Sequence, residues 1–211
     1  EVIHDRNWNE EWEKTIKPIQ VGRFWIRPSW DDQPVPGDHM ELIIDPKMSF
    51  GTGYHETTRL MMGALPEMVS VGDVVLDAGT GTGVLAFAAL KLDAGSALAF
   101  DYDPICKENA EENAVMNALA DRFEVLVGTE GVVQEGRKFN VIMANINREA
   151  LRAMLPALTG FMAEGAKIGL AGLLVSDREI MLKSLEANGL AAIREATEGD
   201  WWSVWAVRAV S

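Results

Sequence analysis

The chain's 211 residues, 48% of them hydrophobic, can bury a full core and suit one domain plus an extension. A net charge of −13 argues against direct binding to a nucleic-acid backbone, which draws on stripes of Lys and Arg, and suits either a basic partner or simply a soluble surface. No apolar run approaches the roughly eighteen residues of a membrane span, and the N-terminus has no basic-then-apolar signal pattern, so a cytoplasmic, membrane-free protein is expected; a monomer is expected as well.

Residues 1–39 differ from the rest. They hold four tryptophans (Trp8, Trp12, Trp25, Trp30) and a linker-like run from Asp31 to Asp38 rich in Pro, Gly and Asp. Trp8, Trp12 and Ile16 fall on one helical face, and Arg23 to Arg27 alternates like a strand, which predicts an ordered extension. From residue 40 to 211 strands alternate with helices. Strands are expected near 40–44, 73–77, 96–101, 122–127, 139–144, 166–172, 188–195 and 201–208. Helices are expected near 55–65, 83–92, 104–117, 147–162 and 177–187. The connection Thr197 to Asp200 is too short for a crossover, so the last two strands must form an antiparallel hairpin. The fold class is α/β: a doubly wound, mostly parallel, Rossmann-like sheet of seven strands ending in that hairpin.

Val74-Val75-Leu76-Asp77 is a buried strand that breaks into Gly79, Gly81 and Gly83, spaced two apart, before a helical pattern begins at Val84. Glycine at alternate positions lets the backbone approach a ligand, and the helix start offers its positive end there. The dinucleotide fingerprint wants glycine at the first, third and sixth positions, but counting from Gly79 the sixth is Val84. The spacing resembles instead the glycine pattern of S-adenosylmethionine-dependent methyltransferases. A tight strand-to-helix connection is the purely structural alternative. Asp101 ends the next strand at the separation where α/β nucleoside sites place a carboxylate for ribose hydroxyls, whereas Asp103-Pro104 reads as the cap and first turn of a helix.

Phe50-Gly51-Thr52-Gly53-Tyr54-His55-Glu56-Thr57-Thr58 is rich in glycine and hydroxyls. The hydroxyls of Thr57 and Thr58, with free amides at a helix start, can hold a carboxylate such as the methionine end of the cofactor; an ordinary N-cap turn explains the residues equally well. Phe50 or Tyr54 could present its ring to a sulfonium. Asn145 stands at the carboxyl end of a strand, where open α/β sheets bind ligands, and its amide oxygen can accept from an incoming amine; otherwise it caps a helix, a job better suited to Asn147. His4, His39 and His55 lack metal-ligand spacing, so no metal is expected, and the single Cys106 reads as an ordinary semi-buried residue in a reducing compartment.

Together, Asp45-Pro46, Phe50 to Thr58, Asp77 to Gly83, Phe100 to Pro104 and Ala144-Asn145-Ile146 resemble the bacterial methyltransferases of ribosomal protein L11, and the resemblance covers almost the whole chain. It implies that Thr58, Gly79, Gly81, Asp101 and Asn145 contact S-adenosylmethionine, and that Phe50, Thr52 and His55 belong to a loop that closes on it. It also implies methylation of lysine and N-terminal α-amino groups of L11. Residues 1–39 would be the linker and 40–211 the catalytic domain, the family's small N-terminal recognition domain being absent ahead of Glu1. The expected chemistry is direct attack of a neutral amine on the methyl, with Asn145 aiming the lone pair and no obligate general base. A methyltransferase for another protein or a small molecule, and a nucleoside-binding module without turnover, are the rival readings.

Overall fold

In the computed structural model, residues 16–46, 51 and 53–209 are described. Trp8, Trp12, Phe50 and Thr52 lie outside them. Two sheets are present among the described residues. The smaller contains β1 (Ile19–Val21), β2 (Phe24–Arg27) and β3 (Met40–Ile43), with β1 antiparallel and β3 parallel to β2. The larger is built from β4 (Val74–Ala78), β5 (Ser96–Asp101), β6 (Phe123–Val127), β7 (Phe139–Asn145), β8 (Met162–Leu174), β9 (Leu190–Glu198) and β10 (Trp201–Arg208). Its order is β6-β5-β4-β7-β8-β10-β9, and only β10 runs antiparallel to its neighbours. The expected seven-stranded sheet and terminal hairpin are therefore present.

Helices α1 (Glu56–Met68), α2 (Val84–Lys91) and α3 (Pro104–Met116) pack on one face, and α4 (Arg148–Phe161) and α5 (Arg178–Ala187) on the other. Leu151, Leu155 and Leu158 of α4, spaced four and three apart, are fully buried against β7 and β8, which is the stripe an amphipathic helix needs. The strands of the parallel core are apolar on both sides because both faces are covered. None of the described helices is long and apolar enough to cross a membrane.

Two expectations are corrected. The strand near 40–44 does not join the large sheet: β3 pairs in parallel with β2 in the small one. Its outer edge is met not by a strand but by α3, where Asn117 bonds both the N–H and the carbonyl of Ile43 (2.9 and 2.7 Å). The first core helix also runs past Leu65 through Pro66 to Met68. The proline removes one backbone donor, yet Leu65 and Met68 are buried, and that packing carries the helix onward. In the extension, Trp25 is half-buried while Trp30 is 45% exposed.

Candidate active site

The carboxyl ends of β4, β5 and β7 meet where the strand order reverses, the switch point at which doubly wound sheets bind ligands. A cavity of about 370 Å³ opens there, between Gly79 and Gly81 on one side, Asp101 and Tyr102 on another, and Asn145 and Ile146 on the third. Asp101 is 7% exposed. Its Oδ2 accepts the Gly81 amide (3.0 Å) and its Oδ1 the Asp103 amide (3.1 Å), so the carboxylate ties the glycine loop to the end of its own strand. Each oxygen keeps a lone pair for a further donor. Asp103 caps α3 by accepting the Ile105 amide (2.9 Å), with Pro104 in the first turn, as its sequence context required.

The glycines serve the protein as much as a ligand. Gly79 lies at φ +73°, and a Cβ on it would stand 2.4 Å from Ile146 Cγ2; Gly83, the left-handed N-cap of α2, would place its Cβ 2.4 Å from the Phe87 ring and does not line the cavity. Of the three, Gly79 and Gly81 line it.

Asp77 is fully buried behind this loop. Burial pushes its carboxyl up to about 7, against the opposing pull of the Thr80 hydroxyl (2.7 Å to Oδ2) and the Ala86 amide; Asp101 adds a smaller upward push. The Ala86 amide favours the charge without meeting hydrogen-bond geometry, so Oδ1 has no bonded partner. Because the folded value lies above the ordinary 3.8, the folded state holds a proton that the unfolded chain releases, and stability falls as pH rises from about 4 through about 7. Asp77→Asn is expected to abolish that slope and to raise stability at pH 8 by at most about 4 kcal/mol, with little change at pH 4. Urea midpoints at the two pH values read this out; equal pH slopes for variant and parent would contradict it.

Asn145 donates from Nδ2 to the Thr58 hydroxyl (3.4 Å), while its buried Oδ1 has no partner. Beyond it a second, more open cavity of about 280 Å³ is lined by His55, Thr57, Gly172 and Trp201, with Asn145, Ile146 and Asn147 shared between the two. His55 meets the Trp201 ring edge-on at 4.7 Å. The amides expected to hold a carboxylate are not free: Thr58 N–H donates to the His55 carbonyl (3.1 Å) and Thr57 N–H to His55 Nδ1 (3.3 Å), because His55 is the N-cap of α1. Thr57 Oγ1 also bonds the His55 ring (2.8 Å). Tyr54 turns away from both cavities and bonds the backbone of Lys17 (2.6 Å from its N–H). Asn147, as anticipated, caps α4 through the Ala150 amide (3.0 Å).

Thus Gly79, Gly81, Asp101 and Asn145 converge on one cavity, Thr58 reaches it through Asn145, and His55 sits in the neighbouring one. Phe50 and Thr52 lie outside the described residues. Tyr102, Gly128 and Thr129 also line the first cavity, and Trp201 the second, without having been singled out from the sequence. Their signal was position: each of the first three directly follows β5 or β6 at the same sheet edge as Asp101. Cys106, read as an ordinary buried residue, is buried and also borders the first cavity. Among the described residues no three His, Cys, Asp or Glu side chains come together to hold a metal.

Comparison with known proteins decides which nucleoside chemistry this geometry belongs to. The family described as Ribosomal protein L11 methyltransferase (PrmA) matches residues 1–209. The chain belongs to the ribosomal protein L11 methyltransferase family. Relatives of that name are 38% identical over 198 residues in Myxococcus xanthus and 39% over 203 residues in Chlorobaculum parvum. These alignments cover 93% and 94% of this chain and 67% and 70% of the relatives. A solved ribosomal protein L11 methylase from Lactobacillus delbrueckii subsp. bulgaricus superposes with a TM-score of 0.85 at 30% identity, covering 92% of this chain and all of that one. A putative RNA methyltransferase from Pyrococcus horikoshii, at 18% identity and a TM-score of 0.63, shares the fold.

As a member of the L11 methyltransferase family the protein is an S-adenosylmethionine-dependent methyltransferase. The cavity fits that cofactor: its volume lies within the range of small-molecule sites, an acceptor carboxylate stands at one end, and an unpartnered buried amide oxygen stands at the other. Gly172 backs the partition between the cavities. At φ +82°, a Cβ on it would lie 2.3 Å from the Ile146 carbonyl oxygen, a backbone atom that cannot swing aside. Gly172→Ala is therefore expected to cost about 3 kcal/mol, combining a left-handed backbone penalty with overpacking. A urea midpoint within error of the parent would contradict this.

Proposed function

We propose that the protein methylates amino groups of ribosomal protein L11, lysine ε-amines and the N-terminal α-amine, with Gly79, Gly81 and Asp101 holding the cofactor and Asn145 presenting the amine. The supporting observation is the Asn145 amide: its buried oxygen has no partner, and it stands where the two cavities meet. A buried acceptor left unpaired is costly, and an amine N–H from the second cavity would satisfy it. Asp101 offers its spare lone pairs to the ribose hydroxyls. Thr58 holds the Asn145 amide in orientation through its hydroxyl. The aromatic pair of His55 and Trp201 provides an apolar flank for the aliphatic stem of a lysine.

When bound, S-adenosylmethionine supplies a methyl on a positive sulfur, which the amine nitrogen attacks as the carbon–sulfur bond breaks. The attacking amine must be neutral, and a free lysine titrates near about 10.4, so desolvation in the second cavity and alignment by Asn145 carry the rate. Since no side chain is needed as an obligate base, kcat/KM is expected to rise with pH across the neutral range, following the amine of the substrate. A bell-shaped profile centred near pH 6 would contradict that.

The acidic surface, net charge −13, suits a basic protein substrate. A cytoplasmic location, residues 1–39 as linker and 40–211 as catalytic domain belong to the same reading. Transfer of labelled methyl to purified L11, compared with L11 whose amines have been acetylated, tests it. Label is expected on the unmodified protein only. Equal labelling of both, or none on either, would overturn the assignment of amines.

A further inference from the structure

On α3 and its C-cap, Asn109, Asn113 and Asn117 recur every four residues, so they form one stripe, and all three are buried. A stripe of amides inside a protein needs partners, and these find most of theirs in the backbone beside β3, although the buried Asn109 Oδ1 has no bonded partner. The N–H groups of Ile43 and Asp45 point away from β2, where a further strand would sit. Asn117 pairs both ways with Ile43, as described above. Asn113 pairs with Asp45: its Oδ1 accepts the Asp45 amide (3.0 Å) and its Nδ2 reaches the Asp45 carbonyl (3.3 Å), to which Asn109 also donates (2.8 Å). The helix thus stands in for a missing strand.

Asn113 differs from Asn117 in one respect. Its Nδ2 also donates to the carbonyl of Thr82, inside the glycine loop (3.0 Å). The hydrogen bonds of the Asn117 side chain go to Ile43 and to the Asn113 carbonyl, not to that loop. The loop is therefore held from two directions: the Gly81 amide is fixed on Asp101, and the next carbonyl is fixed on Asn113. On its other side the Thr82 hydroxyl donates to the Gly51 carbonyl (2.6 Å), so the same residue bridges to the segment that follows β3.

From this we infer that Asn113 is a positioning residue for the cofactor loop, and that its single amide couples cofactor binding to the order of the three-stranded sheet. The inference rests on the proposed reading of Gly79 to Gly83 as the floor of the cofactor site. Coupling of this kind is reciprocal: if the Asn113 contacts favour the binding-competent loop, a bound ligand must tighten the Asn113 contacts to Asp45 by the same free energy.

Asn113→Ala and Asn117→Ala separate positioning from plain stability. Both remove a buried amide that pairs with the outer edge of β3, so both lower the urea midpoint. Titration of S-adenosylhomocysteine into the full chain is expected to show affinity about tenfold weaker for Asn113→Ala, the size of one lost buried hydrogen bond, and within about twofold of the parent for Asn117→Ala. Hydrogen exchange of the unmodified chain gives a readout that needs no variant. S-adenosylhomocysteine is expected to slow exchange of the Asp45 amide severalfold and more than that of the Ile43 amide. Tight binding by the unmodified chain, with equal affinity shifts in the two variants or no change in Asp45 exchange, would overturn this inference alone. Failure of the unmodified chain to bind S-adenosylhomocysteine would overturn the cofactor-site reading together with it.

Discussion

Asp101→Ala is expected to weaken S-adenosylhomocysteine binding about 100-fold or more. On the proposed reading the carboxylate accepts from two ribose hydroxyls, and a hydrogen bond to a charged group contributes about 1.5–3 kcal/mol. The substitution also leaves the Gly81 and Asp103 amides without their acceptor, so the loop that forms the cavity floor loses one of its two fixings. Asp101→Asn separates these effects: it keeps an acceptor oxygen for one amide and is expected to fall between parent and alanine variant. Calorimetric titration measures both. An affinity for Asp101→Ala within threefold of the parent would remove Asp101 from the cofactor site.

Asn145→Ala is expected to do the opposite in kinetic terms, lowering kcat by about 100-fold while cofactor affinity stays within about threefold. Its oxygen is a buried acceptor without a partner, placed between the cavity that suits the cofactor and the cavity flanked by His55 and Trp201. Removing it leaves the amine unaligned but the ribose end of the site intact. Thr58→Val, which deletes the hydroxyl that Asn145 Nδ2 touches, should reproduce a smaller part of the same loss. Full turnover on L11 by Asn145→Ala, with normal cofactor binding, would end its proposed role.

Much of this was legible before any coordinates. The apolar strands ending at Ala78, Asp101 and Asn145 announced themselves because a parallel core covered on both faces leaves no polar alternation, and glycine and aspartate punctuate its edge. The hairpin followed from a connection too short to cross over. What stayed hidden has a common physical cause. The outer edge of β3 is satisfied by side chains of α3, so its strand pattern reads like that of a core strand although it belongs to another sheet. The asparagines of α3 carry no signal of their own in the sequence, and only the packing shows them buried against backbone.

The site shows the same division. Asp103 and Asn147 were recognisable as caps because capping is local, a matter of two or three residues. Trp201 could not be placed, since it is brought beside His55 by the long-range pairing of β10 with β8. The Gly79 and Gly83 side-chain gaps looked like room for a ligand, yet Ile146 and Phe87 fill them. The amides of Thr57 and Thr58 looked available for a carboxylate until His55 proved to be the cap that occupies them.

The most direct test of the central claim is a structure of this chain with S-adenosylhomocysteine bound. The ribose hydroxyls are expected within hydrogen-bonding reach of Asp101, the glycine loop beneath them, and the sulfur beside Asn145 on the side facing His55 and Trp201. A nucleoside lodged in a different cavity, or lying in this one with its ribose away from Asp101, would contradict the account.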